Sequence, residues 1–376
     1  MKVLLFANTD WYLYNFRLAQ VQALRERGDE VVLVSPDGPY GPRMQGMGIR
    51  WLRFPLAQRG LNPVAEIQTV LRLLRLYRRE KPDLVHQFTV KCVLYGSLVC
   101  HILGIRSIVN SVTGLGYVFM EGGDAPRWLR GFIKLAYRLV LQRTWVIFQN
   151  PDDRSVFLES RLVDPKRVTL IRGSGVDIQR FSPRPEPPGI PLVVLPARIL
   201  WDKGVGEFVA AARTLQAKGL RARFALVGES DDENPASVHA SQLHAWENEG
   251  VIEWWGWKEN MDEVYAQAAI ICLPSYYREG VPKALIEAAA CGRPIVTCDM
   301  PGCREIVRHK ENGLLVPARD AAALAAALAD LLQSPSMRSE MGICGRTIAE
   351  KEFSMELVIS QTFAFYQSCR NGVSSQ

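Results

Sequence analysis

The stretch Ser182-Pro183-Arg184-Pro185-Glu186-Pro187-Pro188-Gly189 divides the chain into two blocks of similar organisation. Four of the six residues at 183–188 are proline, and such a run fits neither a helix interior nor a central strand. The chain has 376 residues, which is more than one hydrophobic core usually serves. We therefore predict two domains, one over residues 1–182 and one over residues 190–354.

Strand and helix patterns alternate in both blocks. The first block predicts strands at 2–7, 30–35, 82–87, 107–112 and 145–150, with helices at 16–27 and 62–80. The second predicts strands at 192–196, 223–227, 251–255, 270–273 and 294–298, with helices at 206–218, 261–268, 282–290 and 321–333. This alternation favours an α/β fold with two doubly wound, Rossmann-like parallel sheets, whose ligands bind beyond the carboxyl ends of the strands. A last helix at about 355–370 is expected to pack back on the first domain.

The composition is typical of a folded enzyme. Hydrophobic residues make up 48% and charged residues 22% of the chain, which are ordinary values. The longest apolar run, at 92–105, is interrupted by His101 and is too short to cross a bilayer. The apolar run at 3–7 is too short for a signal-peptide core. The eight cysteines form no Cys-x-x-Cys pair, so we expect reduced thiols and a cytoplasmic location.

Positive charge is concentrated in the first half. Residues 1–185 hold 27 Lys and Arg against 15 Asp and Glu, whereas the remainder holds 18 against 24. Such an asymmetry indicates an anionic partner for the first half: nucleic acid, an anionic membrane or a phosphorylated substrate. Nucleic acid is the least favoured, because no recognised binding module accompanies the charge.

Two segments of the first half combine apolar and basic residues at helical spacing, at 71–79 and 127–138. Each is expected either to lie on an anionic bilayer or to pack on the sheet as an ordinary amphipathic helix. The second segment is the better membrane candidate, because Trp128 and Phe132 accompany its basic residues.

A basic loop follows the first strand of the second block: Arg198-Ile199-Leu200-Trp201-Asp202-Lys203-Gly204. At the carboxyl end of a strand, Arg198 and Lys203 are suited to binding an anion. The alternative is a solvated basic loop, although that does not explain Trp201.

A second informative stretch is Glu279-Gly280-Val281-Pro282-Lys283-Ala284-Leu285-Ile286-Glu287. Pro282 suits the first turn of a helix, whose N–H groups and dipole attract phosphate. The carboxylates of Glu279 and Glu287 can each accept hydrogen bonds from sugar hydroxyls. Alone, Glu279 is equally a loop charge and Glu287 a charge that favours the helix dipole. Together with the basic loop, they indicate a site for a nucleotide diphosphate that carries a sugar.

Arg-x-x-x-x-Lys-Gly followed by Glu-x7-Glu resembles the motifs of the family-four retaining glycosyltransferases, which have the two-domain GT-B fold. The resemblance covers nearly the whole chain, including Gly175-Val176-Asp177, Gly228 and residues 312–317. A narrower similarity, to the subgroup acting on undecaprenyl-diphosphate-linked sugars, is carried by residues 198–208, 227–235, 273–280 and the Gly114-Leu115-Gly116 loop.

This resemblance implies two Rossmann-like domains facing a central cleft and a UDP-sugar as co-substrate. It further implies an undecaprenyl-diphosphate-linked saccharide as acceptor, in bacterial glycan assembly. The transferred sugar would be an N-acetylhexosamine such as N-acetylgalactosamine, moved with retention. Such an enzyme would be peripherally associated with the inner face of the plasma membrane.

The resemblance also implies roles for the residues of the second domain. Arg198 and Lys203 would neutralise the departing UDP, and Glu279 would bind hydroxyls of the transferred sugar; these three are the expected catalytic residues. Glu287 would bind ribose. The remaining expected substrate contacts are Gly280, Val281, Pro282 and Lys283, which face phosphate or sugar, and Trp257, in a loop that frames the uracil. Trp257 is equally a core or edge aromatic.

The first domain offers weaker signals. Asn8, Thr9 and Asp10 follow the first strand and are expected to face the cleft, while Lys91 is placed to contact the acceptor diphosphate. His86 either faces the cleft or is satisfied inside the sheet, which is the favoured interpretation.

The loop after the strand at 107–112 departs from the family. It reads Ser111-Val112-Thr113-Gly114-Leu115-Gly116, without the His that many members carry. Thr113 and Gly114 remain expected substrate contacts. With that His missing, the departing β-phosphate is expected to accept the acceptor's proton.

No cofactor and no metal site are expected, since Asp-x-Asp, His-Glu-x-x-His and Cys/His clusters are missing from the sequence. Nucleotide-binding Gly-x-Gly-x-x-Gly and Walker motifs are missing too, as is the hydrolase motif Gly-x-Ser-x-Gly. Two alternatives to sugar transfer stay open. One is a GT-B-type epimerase or phosphorylase, and the other is a non-catalytic subunit that binds nucleotide sugars.

Overall fold

The computed structural model describes residues 1–56, 62–114, 127–231 and 234–374, except for the side chains of 127–130, 132, 373 and 374. It divides the chain into unit 1, Met1–Ser174 with Glu356–Gln376, and unit 2, Gly175–Met355. Each unit holds one parallel sheet with helices. This arrangement confirms the predicted α/β fold class.

Unit 1 contains a seven-stranded sheet in the order β3-β2-β1-β4-β5-β6-β7, and every neighbouring pair is parallel. Its strands are β1 Lys2–Phe6, β2 Glu30–Ser35, β3 Arg50–Arg53, β4 Leu84–Phe88, β5 Ile108–Val112, β6 Trp145–Phe148 and β7 Val168–Leu170. Its central strands are buried along nearly their whole length, as expected where helices cover both faces of a sheet.

Seven α-helices belong to the described part of unit 1 before residue 174: α1 Asp10–Tyr12, α2 Leu18–Glu26, α3 Tyr40–Gly46, α4 Pro63–Glu80, α5 Val90–Leu103, α6 Arg127–Leu141 and α7 Pro151–Glu159. A π-helical segment, Leu13–Arg17, joins α1 to α2. Helix α4 illustrates the local causes of a helix start and end. The Asn62 side chain accepts from the backbone N–H of Val64 at 3.1 Å, Pro63 opens the helix, and left-handed Lys81 ends it.

Unit 2 contains a six-stranded parallel sheet in the order β10-β9-β8-β11-β12-β13. Its strands are β8 Leu192–Pro196, β9 Arg223–Val227, β10 Glu253–Trp254, β11 Ile270–Leu273, β12 Ile295–Cys298 and β13 Gly313–Val316. Its helices are α8 Val205–Ala217, α9 Ala240–Asn248, α10 Met261–Gln267, α11 Lys283–Ala290, α12 Cys303–Ile306, α13 Ala321–Gln333 and α14 Pro335–Glu352.

The last helix, α15 Met355–Ser374, begins at the end of unit 2 and continues in unit 1. One face of α15 is buried against the core of unit 1 and carries Val358, Phe365, Tyr366 and Cys369. The Tyr366 hydroxyl accepts a hydrogen bond from Gln20 Nε2 at 2.7 Å. Unit 1 is therefore completed by residues that follow unit 2 in the chain.

The proline-rich stretch packs on unit 2. Arg338 forms an ion pair with Glu186 at 2.7 Å, and Arg293 donates to the carbonyl of Arg184 at 2.9 Å. The residues just before it are also bound within unit 2, since Arg346 donates to the carbonyl of Phe181 at 2.8 Å. The division between the units therefore falls at Ser174–Gly175. The proline-rich stretch predicted the end of the first domain at residue 182, which is further along the chain.

Strand order reverses once in each sheet, between β1 and β4 in unit 1 and between β8 and β11 in unit 2. At such a switch point the loops leaving two adjacent strands diverge and open a crevice at their carboxyl ends. The basic loop follows β8, and the stretch beginning at Glu279 lies in the loop after β11. The topology thus brings the two stretches to one end of the sheet of unit 2.

Within the described residues, no helix is both long enough and apolar enough to cross a membrane.

Candidate functional site

The loops after β8 and β11 are in direct contact at the switch point of unit 2. The backbone N–H of Tyr276 donates to the carbonyl of Asp202 at 3.0 Å. Gly204 has a left-handed backbone, with φ at +77°, and a Cβ there would collide with the carbonyl oxygen of Pro274. The loops approach this closely because residue 204 has no side chain.

Lys203 and Glu279 form an ion pair across these loops. The Lys203 ammonium lies 2.6 Å from Glu279 Oε1, and only 9% of the Lys203 side chain is exposed. The Ser275 hydroxyl donates to the same carboxylate oxygen at 2.9 Å, and the Tyr277 ring centroid lies 5.5 Å from the ammonium. A buried cation and a carboxylate therefore share one position at the carboxyl ends of β8 and β11.

Arg198 is exposed in the same loop, and its backbone neighbours are held firmly. The N–H of Ile199 donates to the carbonyl of Glu229 at 3.0 Å, and the carbonyl of Ile199 accepts from Ser237 Oγ at 3.0 Å. Gly228 passes so close to the carbonyl of Ala197 that a Cβ at residue 228 would collide with it. The guanidinium thus extends from a backbone fixed on two sides.

Asp202 belongs to this site although sequence reasoning gave it no role. Its Oδ1 is buried without a hydrogen-bond partner. Burial raises the pKa of its carboxyl, the nearby Glu279 raises it further, and Lys203 and Arg198 oppose the shift. The residue lies inside the basic motif, but only the contact between the loops shows that it is half-buried beside Glu279.

The loop after β11 leads into α11, which begins at Lys283 with Pro282 as its N-cap residue. Gly280, Val281 and Pro282 are buried. The N-cap glycine of α12, Gly302, lies against the carbonyl of Gly280, so closely that a Cβ at 302 would overlap it. The first N–H groups of α11 have no partner within their own helix, as at every helix start, so this end of α11 is suited to phosphate.

Glu287 is buried within α11, and both of its oxygens lie near polar groups. The hydroxyl of Tyr265 donates to Oε2 at 3.0 Å, and the ammonium of Lys283 lies 3.7 Å from Oε1. Burial raises the pKa of the Glu287 carboxyl, while Lys283 and the Tyr265 hydrogen bond act in the opposite direction. Tyr265 is a neighbour that the sequence pattern did not identify.

Trp257 follows the short strand β10 and is 45% exposed. Its neighbour Gly256 accepts from the N–H of Gly228 at 2.9 Å, and Trp254 Nε1 donates to the carbonyl of Gly228 at 3.0 Å. Trp254 and Trp255 are partly buried against the core. Trp257 is therefore an exposed aromatic residue near the carboxyl end of β9, and β9 is the strand next to β8.

In unit 1 the residues predicted after β1 have structural partners. Thr9 caps α1 by accepting from the N–H of Tyr12 at 3.0 Å. The buried Asp10 carboxylate accepts from the N–H groups of Tyr40 at 2.7 Å and Gly41 at 2.9 Å, at the start of α3. Asn8, between the end of β1 and the start of α1, is half-buried. All three lie at the switch point of unit 1, where Asp10 stabilises a helix start.

The other predicted residues of unit 1 follow β4 and β5, the two strands that come after β1 in the sheet order. Lys91, at the start of α5, forms an ion pair with Glu66 of α4 at 2.7 Å. Thr113 and Gly114 follow β5 and are half-buried, and Leu115 and Gly116 lie outside the described residues. Among these positions, only Lys91 contributes a charge near the carboxyl end of β4.

His86 is enclosed in the sheet of unit 1. Its Nδ1 lies 2.6 Å from the Tyr366 hydroxyl, and its Nε2 lies 2.7 Å from Ser111 Oγ. Burial, and then the charge of Arg17, lowers the pKa of the ring well below its usual value. Both ring nitrogens are thus engaged within unit 1, which agrees with the interpretation of His86 as a satisfied residue of the sheet. No group of His, Cys, Asp and Glu in the described part of the chain is arranged to hold a metal ion.

Comparison with known proteins gives these features a family context. The family described as "Glycosyl transferases group 1" matches residues 190–334, and "Glycosyl transferase 4-like" matches residues 2–150. The first match contains the whole Lys203–Glu279 site, and the second contains β1 to β6. This chain is a glycosyltransferase.

The glycosyltransferase is similar to characterised relatives along most of its length. It is 26% identical to the N,N′-diacetylbacillosaminyl-diphospho-undecaprenol α-1,3-N-acetylgalactosaminyltransferase of Campylobacter jejuni, over 87% of this chain and 88% of that one. It is 22% identical to the UDP-Gal:α-D-GlcNAc-diphosphoundecaprenol α-1,3-galactosyltransferase of Escherichia coli, over 78% of each chain.

The glycosyltransferase also matches solved structures. The sucrose-phosphate synthase of Thermosynechococcus elongatus superposes with a TM-score of 0.82 at 20% identity, covering 99% of this chain and 100% of that one. At this identity the likeness concerns the fold alone. It confirms the GT-B fold, of which the two parallel sheets are the defining parts.

Proposed function

We propose that this glycosyltransferase transfers a sugar, with an N-acetylhexosamine such as N-acetylgalactosamine as the first candidate, from a UDP-sugar to an undecaprenyl-diphosphate-linked saccharide. The observation that carries the proposal is the Lys203–Glu279 pair at the β8/β11 switch point, a buried cation and carboxylate beside a helix start. The acceptor class is supported by the names of both relatives, and the UDP-linked donor by that of the galactosyltransferase.

The site residues have complementary roles in this proposal. Lys203 and Arg198 stabilise the negative charge that develops on the leaving diphosphate, which is usually the largest protein contribution to such a reaction. Glu279 binds hydroxyls of the transferred sugar and orients the ammonium of Lys203. Glu287 binds the ribose hydroxyls, and the exposed ring of Trp257 lies beside the base.

The proton of the acceptor hydroxyl passes to the departing β-phosphate oxygen in this scheme. His86 is unsuited to act as the base, because it is buried and both of its ring nitrogens are engaged. With attack and departure on the same face of the sugar, the product keeps the anomeric configuration of the donor. No metal ion is required, since the two basic side chains supply the positive charge.

The direct test incubates the purified protein with a panel of UDP-sugars and polyprenyl-diphosphate saccharides, and analyses the products by mass spectrometry. We expect the acceptor mass to increase by one sugar residue, and NMR to show retained configuration at the new bond. Tight UDP binding without transfer to any acceptor would overturn the proposal in favour of a nucleotide-sugar-binding subunit. Conversion of a UDP-sugar without any acceptor would favour an epimerase.

We further propose that helices α4, α5 and α6 of unit 1 contact an anionic membrane. These helices pack side by side. They carry seven of the large hydrophobic side chains that are exposed: Val64, Ile67 and Leu71 on α4, Leu98 and Ile102 on α5, and Leu135 and Leu139 on α6. Exposed basic residues lie beside them on α4 and α6: Arg72, Arg75, Arg78, Arg79, Lys134 and Arg138. Apolar and basic residues on one surface suit a bilayer with anionic headgroups, where a lipid-linked acceptor would be found.

Replacement of Arg75 and Arg78 together by Gln is expected to weaken binding to phosphatidylglycerol-containing vesicles. Each basic residue near such a surface contributes about 1 kcal/mol, so the vesicle partition coefficient should fall roughly tenfold to thirtyfold. Co-sedimentation of the wild type and the variant measures this loss. Leu71→Ser should also weaken binding, whereas Ile343→Ser, at a position of unit 2 that is 68% exposed, serves as the matched control. Equal binding of the wild type and the Arg75/Arg78 variant would contradict the proposed surface.

A further inference from the structure

Arg17 occupies an unusual position for a charged residue. It is the last residue of the π-helical segment Leu13–Arg17, directly before α2. Leu13, Val21 and Leu24 of the same helical region are buried in the core of unit 1, and Arg17 itself is only 5% exposed. The position thus lies on the buried side of the helix, where helical periodicity ordinarily places an apolar residue.

The guanidinium of Arg17 has few polar partners. Its Nη2 donates to the Tyr12 hydroxyl at 2.8 Å, and its carbon lies 4.4 Å from the centroid of the Phe88 ring. Its Nε is buried without a hydrogen-bond partner. Among the described residues, no carboxylate forms an ion pair with it. Buried charges in proteins are normally paired, because taking an ion out of water is energetically costly.

The nearest acid in the sequence does not supply the missing negative charge. The carboxylate of Asp10 accepts from three backbone N–H groups, those of Trp11 at 2.8 Å, Tyr40 at 2.7 Å and Gly41 at 2.9 Å. His86 on β4 is also near Arg17, but an imidazole carries no negative charge, and burial and then the charge of Arg17 lower the pKa of its ring. The structure therefore holds a buried cation with no counter-ion in the described part of unit 1.

The location of Arg17 in the sheet is that of a ligand-binding residue. Tyr12, which accepts its hydrogen bond, lies in α1 just after β1, and Phe88, beneath the guanidinium, is the last residue of β4. Strands β1 and β4 are the two neighbours at which strand order reverses. Arg17 thus lies at the carboxyl ends of the pair of strands where a doubly wound sheet binds its ligand.

We propose that Arg17 binds the diphosphate of the lipid-linked acceptor. The inference rests on the proposed function for the identity of the ligand, and on the unpaired guanidinium for the presence of an anion site. A guanidinium presents its donors as a planar fork that fits two phosphate oxygens at once. Its aromatic neighbours, Tyr12 and Phe88, hold the fork in place before the ligand arrives.

The kinetic test compares Arg17→Met with Arg17→Lys and with Arg25→Met, which removes an exposed charge from α2 as a matched control. We expect Arg17→Met to raise the KM for the acceptor by roughly tenfold to a hundredfold, the loss typical of a charge-assisted hydrogen bond. The KM for the UDP-sugar should stay within twofold. Arg17→Lys should give an intermediate KM for the acceptor, because it keeps the charge and loses the fork.

A stability measurement separates binding from a structural role. A buried charge without a counter-ion is a cost to the fold, so Arg17→Met should unfold at the same temperature as the wild type or higher. A lower unfolding temperature together with equal losses for donor and acceptor would show that Arg17 only supports the fold, and would overturn the proposal.

Calorimetry with simple ligands makes the result independent of sugar transfer. Farnesyl diphosphate and inorganic pyrophosphate are titrated into the wild type, Arg17→Met and Arg25→Met, with UDP as the donor-side ligand. We expect Arg17→Met to weaken farnesyl diphosphate binding by tenfold or more and to leave UDP binding unchanged. Pyrophosphate alone should show the same loss if the diphosphate group is what Arg17 recognises. Equal weakening of UDP would assign Arg17 to the donor and overturn the proposal. Failed sugar transfer with the farnesyl diphosphate effect intact would contradict only the proposed function.

Discussion

Replacement of Lys203 by Met is expected to lower kcat by about a hundredfold to a thousandfold, the effect of removing one preorganised charge-stabilising group from an active site. The reason is that Lys203 is buried at the switch point, 2.6 Å from Glu279, and so needs little reorganisation when charge develops on the leaving diphosphate. Steady-state kinetics at saturating donor and acceptor measure the loss. Lys218→Met, at the exposed end of α8, removes one lysine of unit 2 outside the site and should leave kcat unchanged.

A double-mutant cycle distinguishes catalysis from a structural ion pair. Lys203→Met leaves the Glu279 carboxylate without its cation, and this lowers the free energy of unfolding. Adding Glu279→Gln removes the unpaired charge and should restore part of that stability. Turnover should not return, because the diphosphate still lacks its ammonium. If the double variant regains wild-type kcat, or if Lys203→Met loses less than threefold, Lys203 has no role in the reaction.

Replacement of Gly204 by Ala is expected to lower the free energy of unfolding by about 2–5 kcal/mol, from a left-handed backbone and an overpacked contact together. It should also reduce kcat/KM by roughly a hundredfold or more, since displacing catalytic groups by about 1 Å has effects of that size. The added methyl group would press on the carbonyl of Pro274 and separate the loops that hold Lys203 and Glu279. Chemical denaturation and steady-state kinetics measure the two effects.

Gly219→Ala is the matched control for this substitution. Gly219 has nearly the same backbone angle, +75° against +77° for Gly204, and a Cβ at residue 219 would have no neighbour within 4 Å. It should therefore show the backbone strain alone, about 1–2 kcal/mol, with unchanged kcat/KM. Similar losses in the two variants would show that the contact between Gly204 and Pro274 does not position the site.

The fold was predictable where burial leaves a simple pattern. Strands β2, β8, β9 and β11 lie at the predicted residues, because strands covered on both faces are continuous apolar runs. The sequence of α5 did not lead to a helix prediction. The helix is apolar around most of its circumference and has no amphipathic stripe that would identify it. Helix α14 was missed for the opposite reason, because its sequence is largely polar.

The site was predictable as a set of residues and not as an arrangement. The motifs identified Arg198, Lys203 and Glu279, but the contact between Lys203 and Glu279 depends on β8 and β11 being neighbours in the sheet. That adjacency is a property of strand order, which local patterns do not encode. Asp202 and Tyr265 were missed for the same reason, since each becomes part of the site only through contacts with another loop or helix.

Arg17 shows a different limit of sequence reasoning. In a basic half of the chain, one more arginine in a predicted helix reads as a solvated charge. Arg17 lies four residues after Leu13 and four before Val21, so regular helical spacing places it on the apolar side of the helix, but spacing does not show which groups surround it there. Its burial without a carboxylate partner is a tertiary property.

The course of α15 has a consequence for biosynthesis. Unit 1 is the first to leave the ribosome, yet the residues that close its core, Tyr366 and Cys369 among them, are translated after all of unit 2. Domains generally fold as units once their chain is complete. Unit 2 is therefore the first to reach its final form, while the nascent unit 1 keeps an uncovered apolar surface around His86. Nonsense mutations within α15 would consequently leave unit 2 intact and expose unit 1 to aggregation and proteolysis.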